Sequence, residues 1–130
     1  MGPERPRPVA LDAGALVAFE RNDRRIRRLV ELALEHGRQL HVAAGVVGQA
    51  WREGGRQARL AALLKSHTFQ VWPLGIDEAK AAGVLCGMTG TADIVDASVV
   101  LLARHLRATV VTSDPDDLRR LDPSLELVRC

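Results

Sequence analysis

The feature that most constrains the fold is a regular alternation of short apolar runs with helical segments. The runs are continuously apolar, which is typical of strands buried on both faces of a parallel sheet. Strands that alternate with helices predict a sheet covered by helices on both sides. We therefore predict an α/β fold, a three-layer α/β/α domain with a central parallel sheet of about five strands. The predicted strands lie within residues 8–14, 39–45, 68–74, 108–114 and 125–130.

The segments between these runs have helical spacing and residues that end helices. Residues 15–37 are predicted as one long helix that ends at Gly37. Residues 91–107 are apolar on almost every side, which predicts a helix at the centre of the domain. The remaining helices are predicted within residues 46–66, as two short helices broken at Gly54 and Gly55, within residues 75–88, capped by Asp77, and within residues 115–121.

Length and composition exclude several classes of protein. The 130 residues, 47% of them hydrophobic, can bury one core, and we predict a single domain over residues 1–130. No apolar run approaches membrane-spanning length, and no N-terminal signal segment is visible, so we expect a cytoplasmic protein without membrane contact. Cys86 and Cys130 are far apart, and their spacing is not that of a metal site. The net charge of +2 permits nucleic-acid binding without demanding it.

Acidic residues occur where strands end and where the central helix begins. Asp12 ends the first predicted strand and Asp114 the fourth, while Asp93 and Asp96 open the central helix. Ligands of open parallel sheets bind outside the carboxyl ends of the strands, so these acids are expected to meet at one edge. Carboxylates packed together repel unless a cation lies among them, and carboxylate oxygens suit Mg²⁺ or Mn²⁺. We expect Asp12, Asp96 and Asp114 to lie within reach of a single cation.

Each of these acids also has a purely structural interpretation. Asp93 and Asp96 have the spacing of a helix N-cap with an acidic partner three residues later. Asp114 precedes Pro115, which suits the first position of a helix, and Asp117 then falls in the favourable first turn. Asp12 could cap the helix that follows it. Capping alone gives no reason for acids from separate segments to converge.

Four segments, VALDAGALVAFE, HVAAGVVGQAWR, TADIVDASVVLLA and VVTSDPDDLRRL, carry a resemblance to a known family. In order and spacing they resemble the motifs of PIN-domain nucleases, most closely the VapC-type toxins of toxin–antitoxin pairs. The resemblance implies a metal-dependent endoribonuclease that hydrolyses RNA phosphodiester bonds with Mg²⁺ or Mn²⁺. It also implies a homodimer that a small antitoxin protein restrains.

The resemblance assigns roles to individual residues. Asp12, Asp96 and Asp114 fall on the catalytic, metal-binding acids of the family, and Asp93 and Asp117 match positions that are often acidic and assist in metal binding. One position departs from the pattern, because the family has a glutamate in the helix after the second strand where this chain has Gln49. Glu53 is predicted to lie one helical turn later on roughly the same face. It could supply the missing carboxylate or could be a solvated residue, because this spacing brings the two side chains near each other without fixing their direction.

The sequence also raises the question of RNA-binding arginines and of two alternative functions. Arg24 and Arg28 belong to an arginine cluster that could follow an RNA backbone, although a basic solvated helix face is the more common reason for such a cluster. A PIN fold that binds RNA or protein without cleaving it is the alternative function, and Gln49 is its main support. A phospho-acceptor receiver domain is excluded, because the first strand ends in a single acid and no acceptor aspartate follows the third.

Overall fold

A single parallel sheet forms the centre of the computed structural model, which describes residues 6–53 and 57–130. Its strand order is β3-β2-β1-β4-β5, and all four neighbouring pairs are parallel. The predicted parallel sheet is therefore confirmed. The strands are β1 (Val9–Leu11), β2 (Leu40–Ala43), β3 (Phe69–Trp72), β4 (Thr109–Thr112) and β5 (Leu127–Arg129).

Seven helices connect the strands within the described residues. The helices between β1 and β3 share contacts with one another, and so do those between β3 and β5, as right-handed crossovers on the two faces of the sheet require. The three-layer architecture is confirmed in this way. The helices are α1 (Ala13–Glu20), α2 (Arg24–Glu35), α3 (Ala44–Ala50), α4 (Ala58–Lys65), α5 (Ile76–Thr89), α6 (Ile94–Leu106) and α7 (Pro115–Leu121).

The core lies around β1, β2, β4 and α6. Every residue of these three strands is buried, as the continuously apolar runs predicted. Helix α6 buries the consecutive residues 97–100 together with Leu102 and Ala103, so it is the central helix expected from the sequence. Burial of this apolar surface is the main force that fixes α6 against the sheet.

Two local predictions are wrong. Residues 15–37 form two helices, because Asn22 adopts a left-handed conformation (φ 61°), which asparagine tolerates better than most residues. Asp23 then caps α2 by accepting a hydrogen bond from the Ile26 N–H at 3.0 Å. Asp77 does not cap α5, since Gly75 holds the N-cap position and Asp77 lies in the first turn. The predicted pair of helices within residues 46–66 is confirmed as α3 and α4, while its Gly54–Gly55 break lies outside the described residues.

No single helix within residues 6–53 and 57–130 is long and apolar enough to cross a membrane. Helices α5 and α6 satisfy that length and composition only as a pair, and the pair is bent by 105°.

The strand order creates a switch point at the carboxyl end of the sheet. From β1 the chain proceeds to β2 and β3 on one side, whereas β4 and β5 extend the sheet on the other. Crevices at such points are where open parallel sheets bind ligands. Asp12 directly follows β1, and Ser113 and Asp114 directly follow β4.

Candidate metal centre

Asp12 is buried and oriented by the neighbouring strand. The N–H of Ala13 donates to Asp12 Oδ1 at 2.8 Å, so the side chain begins α1 as a cap. The hydroxyl of Thr112 donates to Asp12 Oδ2, also at 2.8 Å. The same Thr112 oxygen accepts a hydrogen bond of 3.0 Å from the N–H of Asp114. One hydroxyl at the end of β4 thus ties together the two acids that end β1 and β4.

Gly14 allows the loop after β4 to approach the start of α1. A Cβ atom at position 14 would lie 2.0 Å from Ser113 Oγ and 2.6 Å from Ser113 Cβ. No real Cβ contact is that short, so a side chain here would push the two segments apart. The absence of a side chain at Gly14 is therefore a condition for bringing Asp12 close to the segment that carries Asp114.

Asp93 begins α6 and is held from two sides. Its Oδ1 atom accepts a hydrogen bond from the Asp96 N–H at 3.0 Å, which confirms the N-cap interpretation of Asp93. The thiol of Cys86, near the end of α5, donates to the Asp93 carbonyl oxygen at 3.6 Å. Capping explains the side chain of Asp93 but not that of Asp96, whose carboxylate makes no hydrogen bond or ion pair within residues 6–53 and 57–130.

Asp96 is the electrostatic centre of the acidic residues. Burial first, and then the negative charges of Asp93, Asp12, Asp117 and Asp114, raise the pKa of Asp96 from 3.8 to about 7. Such a shift means that the ionised carboxylate is unfavourable where it stands. The negative charges of the acids at the ends of β1 and β4 and at the starts of α6 and α7 therefore all act on Asp96. This convergence at a single edge was predicted from the sequence.

The two candidate acids at the start of α7, Asp114 and Asp117, differ in their contacts. Asp114 lies at the N-cap position of α7, but its side chain makes no capping hydrogen bond, so capping does not account for it. Asp117 lies in the first turn, and its Oδ1 is 3.4 Å from Arg120 Nη1. Asp117 and Arg120 line a cleft of about 170 Å³ together with Asp93 and Asp96 of α6. The cleft is completed by Thr91, Ala92 and Leu121.

The residues proposed as auxiliary lie on and beyond α3. Gln49 is exposed in the last turn of α3. The prediction that Glu53 lies one helical turn later on the same face is wrong, because α3 ends at Ala50 and the chain leaves the helix at Trp51. The N–H of Glu53 instead donates to Gln57 Oε1 at 3.0 Å. Helix α3 itself packs closely on α6, since a Cβ atom at Gly45 would lie 3.1 Å from Val95 Cγ2.

The candidate RNA-binding arginines lie on the exposed side of α2. Arg24 is exposed in the first turn. Arg28 Nη1 lies 3.5 Å from Glu31 Oε2 and 3.8 Å from Glu35 Oε1, so acidic neighbours on the same helix already offset part of its charge. Nothing in these contacts links either arginine to the acidic cleft, and their role in RNA binding stays a prediction.

The aspartates fit a divalent cation by chemistry and charge, but they are not arranged as a finished coordination site. Within residues 6–53 and 57–130, no three His, Cys, Asp or Glu side chains are placed so that they could hold a metal ion. The expectation that Asp12, Asp96 and Asp114 lie within reach of one cation is therefore not met by the side chains as they stand. Mutual repulsion favours rotamers that keep carboxylates apart. The donors are nonetheless oxygens, as Mg²⁺ and Mn²⁺ prefer, and the raised pKa of Asp96 marks negative charge that a cation would offset.

Thr112, Gly14 and Arg120 were not identified from the sequence. Thr112 and Gly14 lie next to the predicted acids, but a threonine in a strand and a glycine after an aspartate are common. Only the pairing of β1 with β4 gives them their contacts. Arg120 belongs to a segment rich in charge, in which spacing alone does not separate it from Arg119.

Comparison with solved structures supports the fold. VapBC2 from Rickettsia felis, bound to a DNA fragment from its promoter, aligns with a TM-score of 0.66 at 15% identity, covering 94% of this chain and 98% of that one. VapC20 from Mycobacterium tuberculosis, described as a toxin that cleaves the sarcin-ricin loop, aligns with a TM-score of 0.62 at 15% identity. The alignment covers 78% of this chain and 86% of that one. FitAcB from Neisseria gonorrhoeae aligns with a TM-score of 0.62 at 15% identity, covering 92% of this chain and 95% of that one. At this identity the likeness is one of fold.

Comparison with family models assigns the chain directly. No curated protein matches the sequence. The PIN domain model, in contrast, matches residues 9–123, a range that begins with β1 and ends just after α7. It includes all five aspartates of the candidate site. Because the match spans most of the sequence, the chain belongs to the PIN domain family.

Proposed function

We propose that this protein is a metal-dependent endoribonuclease that cleaves RNA phosphodiester bonds. The observation that carries the proposal is the half-buried carboxylate of Asp96, whose pKa is raised to about 7 first by burial and then by the negative charges of acids from four elements. A structural protein has no use for such repulsion, whereas a cation-binding site depends on it. Perturbed carboxylates in a cleft are a recognised indication of function.

Asp12, Asp96 and Asp114 would hold Mg²⁺ or Mn²⁺, with Asp93 and Asp117 contributing from the rim. When bound, the cation lowers the pKa of a coordinated water and offsets charge on the phosphate oxygens. Thr112 and the N–H of Ala13 keep the Asp12 carboxylate in place for this task. The Asp93 side chain fixes the start of α6 and thereby the position from which Asp96 projects.

The biological setting that we infer is a VapBC-type toxin–antitoxin pair in the cytoplasm. VapC20, whose fold this chain shares, is described as a toxin that cleaves the sarcin-ricin loop, which supports the role of a toxin with a small antitoxin as partner. We also infer a homodimer. Helix α5 supports it, because Ile76, Val84 and Met88 are spaced at multiples of four residues and remain 71%, 62% and 80% exposed.

The experiment is metal-dependent cleavage of a mixed RNA pool. Wild-type protein should cleave with Mg²⁺ or Mn²⁺ and not with EDTA, and Asp96→Asn should lower the rate by orders of magnitude while remaining folded. Asp116→Asn is the control, because Asp116 lies next to Asp117 in α7 but neither lines the cleft nor contributes to the pKa shift of Asp96. An Asp96→Asn variant that cleaves at the wild-type rate would overturn the proposal.

A PIN fold that binds RNA or protein without cleaving it is the second candidate. It is favoured by the neutral Gln49 and by side chains that do not yet form a coordination site in the described residues. The two candidates differ in the effect of Gln49→Glu. A restored carboxylate should strengthen cation binding and cleavage if position 49 faces the cleft. In a module that only binds, it should change neither.

A further inference from the structure

Arg120 is a basic side chain in an otherwise acidic cleft. It lies in the last turn of α7, and its side chain is 71% exposed, so the guanidinium has room to move. Among the residues that line the cleft, three are aspartates and Arg120 is the one cation within the described part of the chain. A polyanionic substrate that enters this cleft meets repulsion from the aspartates and attraction from Arg120.

The contact that Arg120 makes is easily exchanged. Its Nη1 atom lies 3.4 Å from Asp117 Oδ1, three residues earlier on the same helix. Exposed pairs of this type contribute little stability, because water screens them and ordering two long side chains costs entropy. The Arg120 side chain remains 71% exposed in this pair. Its charge is available to a ligand.

We propose that Arg120 binds a phosphate of the RNA backbone beside the aspartates. The inference rests on the proposed ribonuclease function and adds a residue that holds the substrate in the cleft. Guanidinium presents parallel N–H donors that match two phosphate oxygens, and these charge-assisted bonds are stronger than neutral ones. A residue of this kind contacts the substrate backbone and carries no base specificity.

Asp117 couples Arg120 to the cation. It is both the ion-pair partner of Arg120 and a proposed cation ligand, so the guanidinium and the cation compete for the same carboxylate. Binding of the cation frees Arg120 for the phosphate. Removal of Arg120 should therefore act in opposite directions, weakening the affinity for RNA and strengthening the affinity for the cation. A residue with only a structural role would weaken both or neither.

Arg119 provides a matched control. It lies next to Arg120 on α7, and its Nη1 is 3.4 Å from Asp116 Oδ1, again three residues earlier. It does not line the cleft. Arg119→Ala and Arg120→Ala thus remove the same charge and an equivalent ion pair from the same helix. Any difference between them reports the position of the guanidinium and not the net charge.

The first measurement is RNA affinity without cleavage. A fluorescent single-stranded RNA of mixed sequence is titrated in EDTA with wild type, Arg120→Ala, Arg120→Lys and Arg119→Ala over a series of salt concentrations. Loss of one charge-assisted phosphate contact should weaken binding by about tenfold for Arg120→Ala. It should also reduce the slope of log K against log salt by roughly 0.7. Arg119→Ala should leave the slope at the wild-type value, and Arg120→Lys should recover the slope but only part of the affinity.

The second measurement is stabilisation by metal. Melting temperatures of the same variants are followed during titration with Mg²⁺ and Mn²⁺. The metal-free melting temperatures of the two alanine variants should agree, because they lose equivalent ion pairs. Arg120→Ala should then require less metal than Arg119→Ala for the same rise in melting temperature, because Asp117 is released from its arginine.

The outcomes separate this inference from the proposed function. Equal RNA affinities and salt slopes for Arg119→Ala and Arg120→Ala overturn the inference, whether or not the wild-type protein cleaves RNA. Wild-type protein that binds RNA through Arg120 but cleaves with neither metal overturns the ribonuclease proposal and supports the inference. Wild-type protein that neither binds RNA in EDTA nor cleaves it with metal overturns both.

Discussion

Thr112 and Asp12, one hundred residues apart in the chain, are joined by a buried hydrogen bond of 2.8 Å between Thr112 Oγ1 and Asp12 Oδ2. Thr112 is fully buried and Asp12 is 7% exposed. The bond connects the ends of the adjacent strands β1 and β4, at the switch point where the strand order reverses. A carboxylate that is placed by a neighbouring strand is oriented before any ligand arrives, which is what a coordination site needs.

Replacement of Thr112 by valine tests this bond. Valine keeps the shape but leaves Asp12 Oδ2 and the Asp114 N–H without the hydroxyl, which should cost about 1–3 kcal/mol in the free energy of unfolding. RNA cleavage should fall with it. Chemical denaturation and cleavage rates measure the two effects. Thr112→Ser is the control, because it retains the hydroxyl and should keep most of the activity. A valine variant with wild-type stability and rate would contradict the role assigned to Thr112.

The close approach of Gly14 to Ser113 gives a second prediction. In Gly14→Ala the new Cβ would lie 2.6 Å from Ser113 Cβ, and the shift needed to relieve the clash should cost about 1–3 kcal/mol of stability. Thermal unfolding measures the loss. Ser113→Gly removes both atoms nearest to that Cβ, so the double variant should recover much of the loss.

Gly83→Ala is the control for the glycine substitution. Gly83 lies in the interior of α5, and a Cβ there would meet nothing within 4 Å. Alanine should therefore stabilise the protein by up to about 1 kcal/mol through its helix propensity. Equal effects of the two alanine substitutions would show that the contact with Ser113 has no influence.

Patterns that depend on burial were predictable from the sequence. Strands β1, β2 and β4 and the central helix α6 were found because apolar runs report the core directly, whereas β3 and β5 were found although most of their residues are not buried. The convergence of the aspartates followed from the rule that parallel strands end at one edge. The break at Asn22 was not found, because the apolar spacing continues across it and the left-handed conformation depends on a single residue. Likewise, the length of α3 decides where Glu53 lies, and helix ends depend on local contacts more than on periodicity.

His41 and Trp72 give a third prediction, away from the cleft. The Trp72 Nε1–H donates to His41 Nδ1 at 2.9 Å, and burial lowers the pKa of His41 below its usual value of 6.5. The unfolded chain therefore binds the proton more tightly than the folded one. The stability that the neutral imidazole contributes is present above pH 6.5 and is lost as pH falls below it.

His41→Asn separates this contribution from the other titrating groups. Asparagine offers an oxygen acceptor to Trp72 but does not titrate, so its variant should lack the destabilisation that His41 causes below pH 6.5. The denaturation midpoint of the variant, measured between pH 4.5 and 8, should fall less steeply below pH 6.5 than the wild-type midpoint does. If the midpoints of the two proteins fall equally steeply below pH 6.5, His41 is not buried in its neutral form.

The final prediction concerns Asp96, whose effect on stability has the opposite sign. Its pKa is raised from 3.8 to about 7 in the folded state, so the folded protein binds this proton more tightly than the unfolded chain does. The stability associated with the protonated carboxyl is fully present below pH 3.8 and is lost as pH rises through 7. In Asp96→Asn this dependence disappears. Without metal, the variant should be more stable than wild type at pH 8, and the difference should shrink towards pH 4.

A divalent cation should reverse that order. Protons and the cation compete for the Asp96 carboxylate, so millimolar Mg²⁺ or Mn²⁺ should raise the wild-type melting temperature more at pH 8 than at pH 6. Asp96→Asn should show little rise at either pH, and Asp116→Asn should behave as wild type, since Asp116 lies outside the cleft. Calorimetry of the three proteins at the two pH values measures the effect. If the rise in wild type is independent of pH and persists in Asp96→Asn, the cation binds elsewhere, and the charge around Asp96 needs another explanation.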